Sequence, residues 1–411
     1  MAKYGLIGKK LGHSLSPEIH NLLGYDYDLV ELSEDEVESF VKNGDYAGFN
    51  VTIPYKKTVM PYLDYVDPVA EAIGAVNTVV RRNGKTYGYN TDVLGMKYAL
   101  SHAKVDIKDK KVMILGTGGT SATAKYLAKD LGASEIVVVS RTGDVNYTNY
   151  VEHRDTQVII NTTPIGMYPE NGEKLVNLDA FPSLSGGFDP IYNPLMTEFI
   201  FGLKERGINC DNGLRMLVGQ AKFARDLFFN DTIGDEVIEE IYNKIHNRFL
   251  NIILVGMPGA GKSVIGKALA KALSKTFVDT DEEIVRREGV SIPEIFERGG
   301  EEEFRRIESE VVSLVTKERN RIISFGGGAI INPLNIKSAK QNGIIVYIKR
   351  DLDCLARDGR PLSKSPDALR ELFVVRKPIY ENCADIIVEN NSTVDEVTQK
   401  IVEEFYENSR N

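Results

Sequence analysis

Residues 251–273 read NIILVGMPGAGKSVIGKALAKAL, and residues 110–132 read KKVMILGTGGTSATAKYLAKDLG. Each is a short apolar run, then a glycine-rich turn, then an Ala/Leu-rich stretch with helical spacing. A strand that ends in such a turn and re-enters as a helix begins a βα unit, and repeated βα units build parallel sheets covered by helices. The chain is therefore expected to be α/β, with two separate places where a nucleotide could bind. Upstream of Lys110, strand-like pieces at 4–8, 48–53 and 75–81 predict a further α/β lobe. Residues 235–246 read as a charged amphipathic helix, and the stretch 246–250 is too short for a floppy tether. The expected divisions are 1–103, 104–248 and 249–411, with a stretch near 213–230 returning to the first lobe.

The composition narrows the function. The 411 residues carry 50 Lys+Arg against 59 Asp+Glu, a net charge of −9. Phosphate-backbone attraction, the main source of nucleic-acid affinity, has no global support, so no nucleic-acid partner is expected. Three cysteines, Cys210, Cys354 and Cys383, are odd in number and without a CxxC pair, which argues against a disulfide framework or a zinc site. The N-terminus has no leader pattern, and no apolar run approaches the roughly 18 residues of a membrane span. A soluble protein of the reducing cytosol is the expectation.

The turn at 256–263, GMPGAGKS, matches GxxxxGK[ST] in the strand-to-helix setting that motif requires. Backbone N–H groups around Gly259, Ala260 and Gly261 can curl about phosphate oxygens. The helix start adds partial positive charge, Lys262 can reach the β/γ-phosphates, and Ser263 can hold Mg²⁺. Downstream come FVDTDEEI (277–284), GGEEEFRRIESE (299–310), SFGGGAII (324–331), RPLS (360–363) and RKPIYENCAD (376–385). From about Asn251 onward the chain resembles shikimate kinase, an ATP- and Mg²⁺-dependent P-loop enzyme of the nucleoside-monophosphate-kinase-like fold. The resemblance implies Arg305 and Arg376 on the substrate carboxylate, Asp281 and the Gly327 backbone on its hydroxyls, and Asp279 on Mg²⁺ through water. It places Arg360, on the lid, beside the transferring phosphoryl group, where positive charge stabilises the transition state. Glu308, one turn from Arg305, would orient it. The segment between Arg357 and Arg376 reads as shorter than the family's lid, which leaves adenine stacking by Arg357 open.

The first turn, GTGGTSA at 116–122, is an imperfect GxGxxG, with Gly116, Gly118 and Gly119 able to admit a pyrophosphate at the helix start. The strand after it ends in Ser140, Arg141 and Thr142. NAD enzymes usually place an acid there for the ribose 2′-hydroxyl; a guanidinium and two hydroxyls suit a 2′-phosphate, hence NADP(H). GLIGKKLGHSLSPEIHN (5–21), GFNVTIPYKK (48–57), GAVNTVV (74–80), GYNTDVLG (88–95), NTTPIGM (161–167), DPIYNP (189–194) and GLRMLVGQA (213–221) then resemble shikimate dehydrogenase in order, as far as about Asn230. The resemblance implies a substrate lobe beside a Rossmann-like NADP lobe. Ser14, Ser16 and Tyr192 would take the substrate carboxylate, and Thr52, Asn77 and Gln220 its hydroxyls. Lys56 and Asp92 form the catalytic pair, and Gly213 lies with the cofactor glycines. Asn50 is expected to make no direct contact, and His13 and His20 to cap or pack. The segment 141–158 reads as short for the family, as if one crossover helix were abbreviated.

Together the two resemblances imply a fused enzyme that makes shikimate from 3-dehydroshikimate and then phosphorylates it. An NAD-dependent quinate/shikimate dehydrogenase would want an acid at 140 or 141. A non-catalytic shikimate sensor should have lost Lys56, Asp92, Lys262 or Asp279, and all four stand.

Overall fold

The computed structural model describes residues 2–12, 14–355 and 366–409. His13, Arg357 and the RPLS motif with Arg360 lie outside the described residues. The chain divides into two compact units, 1–242 and 243–411, and the helix Glu236–Phe249 contains the division.

The first unit begins with strands β1 (Lys3–Gly8), β2 (Asp28–Glu31), β3 (Tyr46–Val51), β4 (Tyr65–Val66), β5 (Thr78–Arg82) and β6 (Lys85–Tyr89). They form one mixed sheet in the order β2-β1-β3-β5-β6-β4. Alternation places Ile7, Phe49, Val51 and Val79 on one face, packed with Val37, Val41, Tyr55 and Val59. Tyr4, Leu6 and Val80 face the other way, against Ala224 and Phe228 of the helix Gly213–Phe229. That helix belongs to the end of the unit in sequence, and its packing returns the chain to the first lobe.

Five further strands, β7 (Lys111–Leu115), β8 (Glu135–Val139), β9 (Val158–Asn161), β10 (Gly186–Asp189) and β11 (Asn209–Asn212), form a second sheet, order β11-β10-β9-β7-β8. All its neighbours run parallel. The central strands β7 (KVMIL) and β9 (VIIN), buried along nearly their whole length, read as continuous apolar runs rather than alternating ones. One face packs on Met96, Ala99 and Leu100 of the helix Asp92–His102. The other packs on Leu178, Phe181, Phe199 and Leu203. The chain leaves β7 first toward β8 and then crosses back to β9, so the order reverses at the β7 end. In open parallel sheets that switch point is where ligands bind. Between β8 and β9 the only helical element is the single 3-10 turn Tyr150–His153, which is the short crossover that the spacing of 141–158 suggests.

In the second unit β12 (Asn251–Val255), β13 (Thr276–Asp279), β14 (Arg321–Ser324), β15 (Gly343–Lys349) and β16 (Ile386–Glu389) form a parallel sheet ordered β13-β14-β12-β15-β16. The GMPGAGKS turn comes after the central strand β12 and leads into the helix Lys262–Leu273. Among the described residues no helix is long and apolar enough to cross a membrane.

Candidate active sites

In the first unit a cavity of about 490 Å³ opens beside the first sheet, where the helices Ser16–Leu22, Asp92–His102, Gly119–Asp130 and Gly213–Phe229 begin. Ser14, Ser16, Thr52, Lys56, Asn77, Asp92, Tyr192 and Gln220 all line it, although they come from six separate motifs. Local hydrogen bonds explain the convergence. The Lys56 carbonyl accepts from Val76 N–H at 2.8 Å, and the Asn77 carbonyl accepts from Val51 N–H at 2.8 Å, which locks the turn after β3 to the start of β5. Tyr55 between them is buried, and its hydroxyl donates to the Leu32 carbonyl at 2.6 Å.

Asp92 is the first residue of its helix, where the helix dipole favours a carboxylate. Lys56 Nζ donates to Asp92 Oδ2 at 2.6 Å, and Asn77 Nδ2 donates to Asp92 Oδ1 at 2.8 Å. The Asn77 Oδ1 accepts in turn from Thr91 N–H at 2.6 Å. The carboxylate is thus held on both oxygens, and the ammonium is held by it at the cavity wall, with about a quarter of the lysine side chain exposed (27%). Such an arrangement can present a proton at a fixed point. Ser14 and Ser16 sit together, Ser14 Oγ donating to Ser16 Oγ at 3.1 Å.

Three further polar side chains line the cavity that were not among the expected contacts. Asn50 is in the wall, but its carboxamide is engaged by the protein: it accepts from Tyr27 at 2.6 Å and donates to the Asn77 carbonyl at 3.1 Å and Thr78 Oγ1 at 2.9 Å. Lys10, one of the adjacent lysines Lys9 and Lys10, lines the cavity as well. Thr120 comes from the GTGGTSA turn, and its presence in the wall joins the cavity to the glycine loop. Gly213 also lines the cavity. A Cβ there would fall 1.8 Å from the Pro190 carbonyl oxygen, so no other residue fits this approach. His20 packs as expected: it is fully buried, stacked on Tyr27 at 3.8 Å between centroids, and burial pushes its pKa down to about 3.

On the nucleotide side, Gly118 caps the helix Gly119–Asp130 without a side-chain partner for the first turn. A Cβ at Gly118 or Gly119 would meet nothing within 4 Å, so the space above the loop is open, as a pyrophosphate requires. Ser140, Arg141 and Thr142 lie just past the end of β8, with Arg141 and Thr142 exposed.

In the second unit Gly256, Gly259 and Gly261 have φ of +148°, +87° and +93°, the left-handed region that lets successive N–H groups turn inward. Lys262 is buried, and its Nζ donates to the Gly256 and Met257 carbonyls at 2.9 and 3.2 Å, folding the ammonium back over the loop. Ser263 Oγ donates to Asp279 Oδ2 at 2.8 Å, so a hydroxyl and a carboxylate suited to Mg²⁺ stand together. Asp279 Oδ1 also accepts from Asp281 N–H at 3.0 Å, capping the helix Thr280–Glu288.

The turn Gly326-Gly327-Gly328 gathers the remaining residues. Cβ atoms built there would lie 2.6 Å from Asp281 Oδ1 (at 326), 2.9 Å from Pro258 of the phosphate loop (at 327) and 2.4 Å from Arg305 Nη2 (at 328). Arg305 Nη1 donates to Glu308 Oε2 at 2.7 Å. Glu308 is buried, and burial outweighs the nearby Arg305 and raises its carboxyl to about 7. Tyr380 donates its hydroxyl to the Gly327 carbonyl at 2.5 Å. Arg376, one turn before Tyr380, is buried and acts electrostatically on both Tyr380 and Glu308. Asp281 and Arg305 therefore flank the turn that carries Gly327, beside the phosphate loop, with Arg376 acting on two of the residues that meet it.

Comparison with known proteins gives these sites a lineage. Residues 6–79 match the family model of the shikimate dehydrogenase substrate binding domain, and residues 258–406 match that of shikimate kinase. The chain is 38% identical over 271 residues to the shikimate dehydrogenase (NADP(+)) of Clostridium perfringens, an alignment covering 61% of this chain and 100% of that protein. A chorismate mutase/shikimate 5-dehydrogenase fusion protein from Clostridium acetobutylicum superposes with a TM-score of 0.57 at 37% identity, over 60% of this chain and 97% of that one. The Thermus thermophilus shikimate 5-dehydrogenase in complex with NADP(H) and shikimate superposes at 0.53 and 26% identity, over 59% and 99%. The chain belongs to the shikimate dehydrogenase family, and a shikimate kinase domain comes after it in the same polypeptide.

Proposed function

We propose that the first unit reduces 3-dehydroshikimate to shikimate with NADPH and that the second phosphorylates shikimate with MgATP to shikimate 3-phosphate. The observation that carries this reading is the shared cavity of the first unit, where the Lys56–Asp92 pair and Thr120 of the glycine loop line the same space. Proton donor and dinucleotide loop then serve one substrate. NADPH, when bound, supplies the hydride for the carbonyl carbon. The proton for the carbonyl oxygen comes from Lys56 Nζ, which Asp92 holds in place and solvent recharges. Ser14, Ser16 and Tyr192 bind the carboxylate, and Thr52, Asn77 and Gln220 bind the ring hydroxyls. A polyhydroxylated ring left with unpaired polar groups would bind poorly. Gly116, Gly118 and Gly119 admit the pyrophosphate, and Gly213 stands where cofactor and substrate meet.

In the second unit, MgATP supplies the phosphoryl group. Gly259, Ala260, Gly261 and Lys262 hold its phosphates, Ser263 and Asp279 hold Mg²⁺, the latter through water, and Asp281 accepts from the attacking hydroxyl. Arg305 and Arg376 bind the carboxylate, the Gly327 backbone holds a hydroxyl, and Arg360 contributes charge at the transferring group.

NADPH is preferred over NADH because Arg141, with Ser140 and Thr142, takes the 2′-phosphate; no acid stands at 140–142. A bidentate arginine–phosphate contact is charge-assisted and worth about ten- to a hundredfold in affinity. Arg141→Ala should raise the KM for NADPH by that factor and leave the KM for NADH nearly unchanged, in an assay following loss of nicotinamide absorbance with 3-dehydroshikimate. Equal use of NADH and NADPH by the unaltered protein would contradict the assignment.

A further inference from the structure

The phosphate loop has a cationic neighbour that none of the motifs contains. Arg350 is the first residue after β15, and β15 lies against β12 on the side away from β14. Parallel pairing sets Val255 opposite Tyr347, so the end of β15 runs level with the phosphate loop. The contact is close: a Cβ at Gly256 would fall 2.5 Å from the Ile348 carbonyl oxygen. At the far end of the loop, a Cβ at Gly261 would lie 2.5 Å from Asn390 Nδ2 and 3.7 Å from Arg350 Nη1.

Asn390 fixes this geometry. Its backbone N–H donates to the Lys349 carbonyl at 2.7 Å, and its side chain donates to the Ala260 carbonyl at 2.7 Å. The end of β15, the residue after β16 and the last turn of the loop thus hold one another, and the half-buried Arg350 guanidinium is carried beside Gly261. Its Nε is buried and has no hydrogen-bond partner among the described residues. A buried charged donor left without an acceptor is costly, and the neighbouring loop is shaped to hold an anion.

We infer that Arg350 is a nucleotide-binding residue, donating to phosphate oxygens on the nucleoside side of the polyphosphate rather than to the transferred group. The sheet order supplies the direction. Asp279, Asp281 and Gly326–Gly328 lie at or past the ends of β13 and β14, on one side of β12, whereas Arg350 lies past β15 on the other. The acceptor and the phosphoryl group it receives belong to the first side; the part of the nucleotide that stays behind belongs to the second. The assignment rests on the reading of this unit as an ATP-dependent kinase.

The test is calorimetric titration of the full chain with MgADP, alongside kinase kinetics, for the unaltered protein, Arg350→Ala and Arg350→Lys. The expected result is that Arg350→Ala raises the Kd for MgADP and the KM for MgATP together, by about ten- to a hundredfold, without a matching rise in the KM for shikimate. Arg350→Lys, which keeps a point charge but not the planar fork, should fall between. Unaltered MgADP affinity in Arg350→Ala would overturn the inference, as would a rise in the MgATP KM alone, which would put the guanidinium on the γ-phosphoryl group. If the alanine variant loses its shikimate KM or its fold, the lysine variant decides: intermediate weakening of MgADP supports the inference, and unchanged affinity overturns it. An unaltered chain that binds MgADP yet does not phosphorylate shikimate would refute the kinase reading, while the titrations would still read the role of Arg350.

Discussion

Lys56→Met should cut the reduction of 3-dehydroshikimate by about a hundredfold or more, the usual contribution of a positioned general acid, and leave the phosphorylation of shikimate intact. Methionine keeps most of the lysine's volume at the cavity wall and removes only the ammonium that Asp92 holds at 2.6 Å. Asp92 remains fixed by Asn77 at 2.8 Å, so the pocket should keep its shape and the loss should fall on kcat more than on the KM for substrate. Steady-state kinetics of both activities on one preparation, with circular dichroism as the check on folding, would measure this. Equal loss of both activities in a folded protein would contradict the assignment of Lys56.

The converse variant is Lys262→Met. The Lys262 ammonium lies over the loop's own carbonyls at 2.9 and 3.2 Å, within reach of any phosphate the loop cradles. Removing a fixed positive charge aimed at developing negative charge commonly costs about a hundred- to a thousandfold in kcat. Phosphorylation should fall by at least that range while reduction of 3-dehydroshikimate stays as it was. Kinase activity surviving within about threefold of the unaltered protein, far short of that loss, would mean that the GMPGAGKS turn does not serve ATP.

The parts of this architecture that the sequence displays are those built from local chemistry. A glycine-rich turn between an apolar strand and a helix declares itself, because the backbone conformations at Gly256, Gly259 and Gly261 are needed by the turn. Lys56, Asp92, Ser14 and Ser16 stand in motifs whose order alone identifies them, and the cavity brings them together. What stays hidden depends on pairing between distant strands. Arg350 and Asn390 meet Gly261 only because β15 lies beside β12 and β16 beside β15, about 90 and 130 residues further along the chain. Thr120 and Lys10 reach the cavity for the same kind of reason, and nothing in their immediate neighbours marks them. The burial that raises Glu308 to about 7 is likewise a property of packing: in sequence it is one acid in the run GGEEEFRRIESE. The short crossover at 141–158 was legible because length, unlike contact, is written directly in the chain; the structure fills it with one 3-10 turn.

Two active sites on one polypeptide, acting in sequence on the same ring, make up the proposed function. It is tested most directly by incubating the purified chain with isotopically labelled 3-dehydroshikimate, NADPH and MgATP, and following the label by mass spectrometry as NADPH is consumed. Labelled shikimate should form first and labelled shikimate 3-phosphate after it; Lys56→Met should stop both, and Lys262→Met should halt the label at shikimate. Loss of NADPH with no phosphorylated product from the unaltered chain, or phosphorylated product that persists in Lys262→Met, would contradict it.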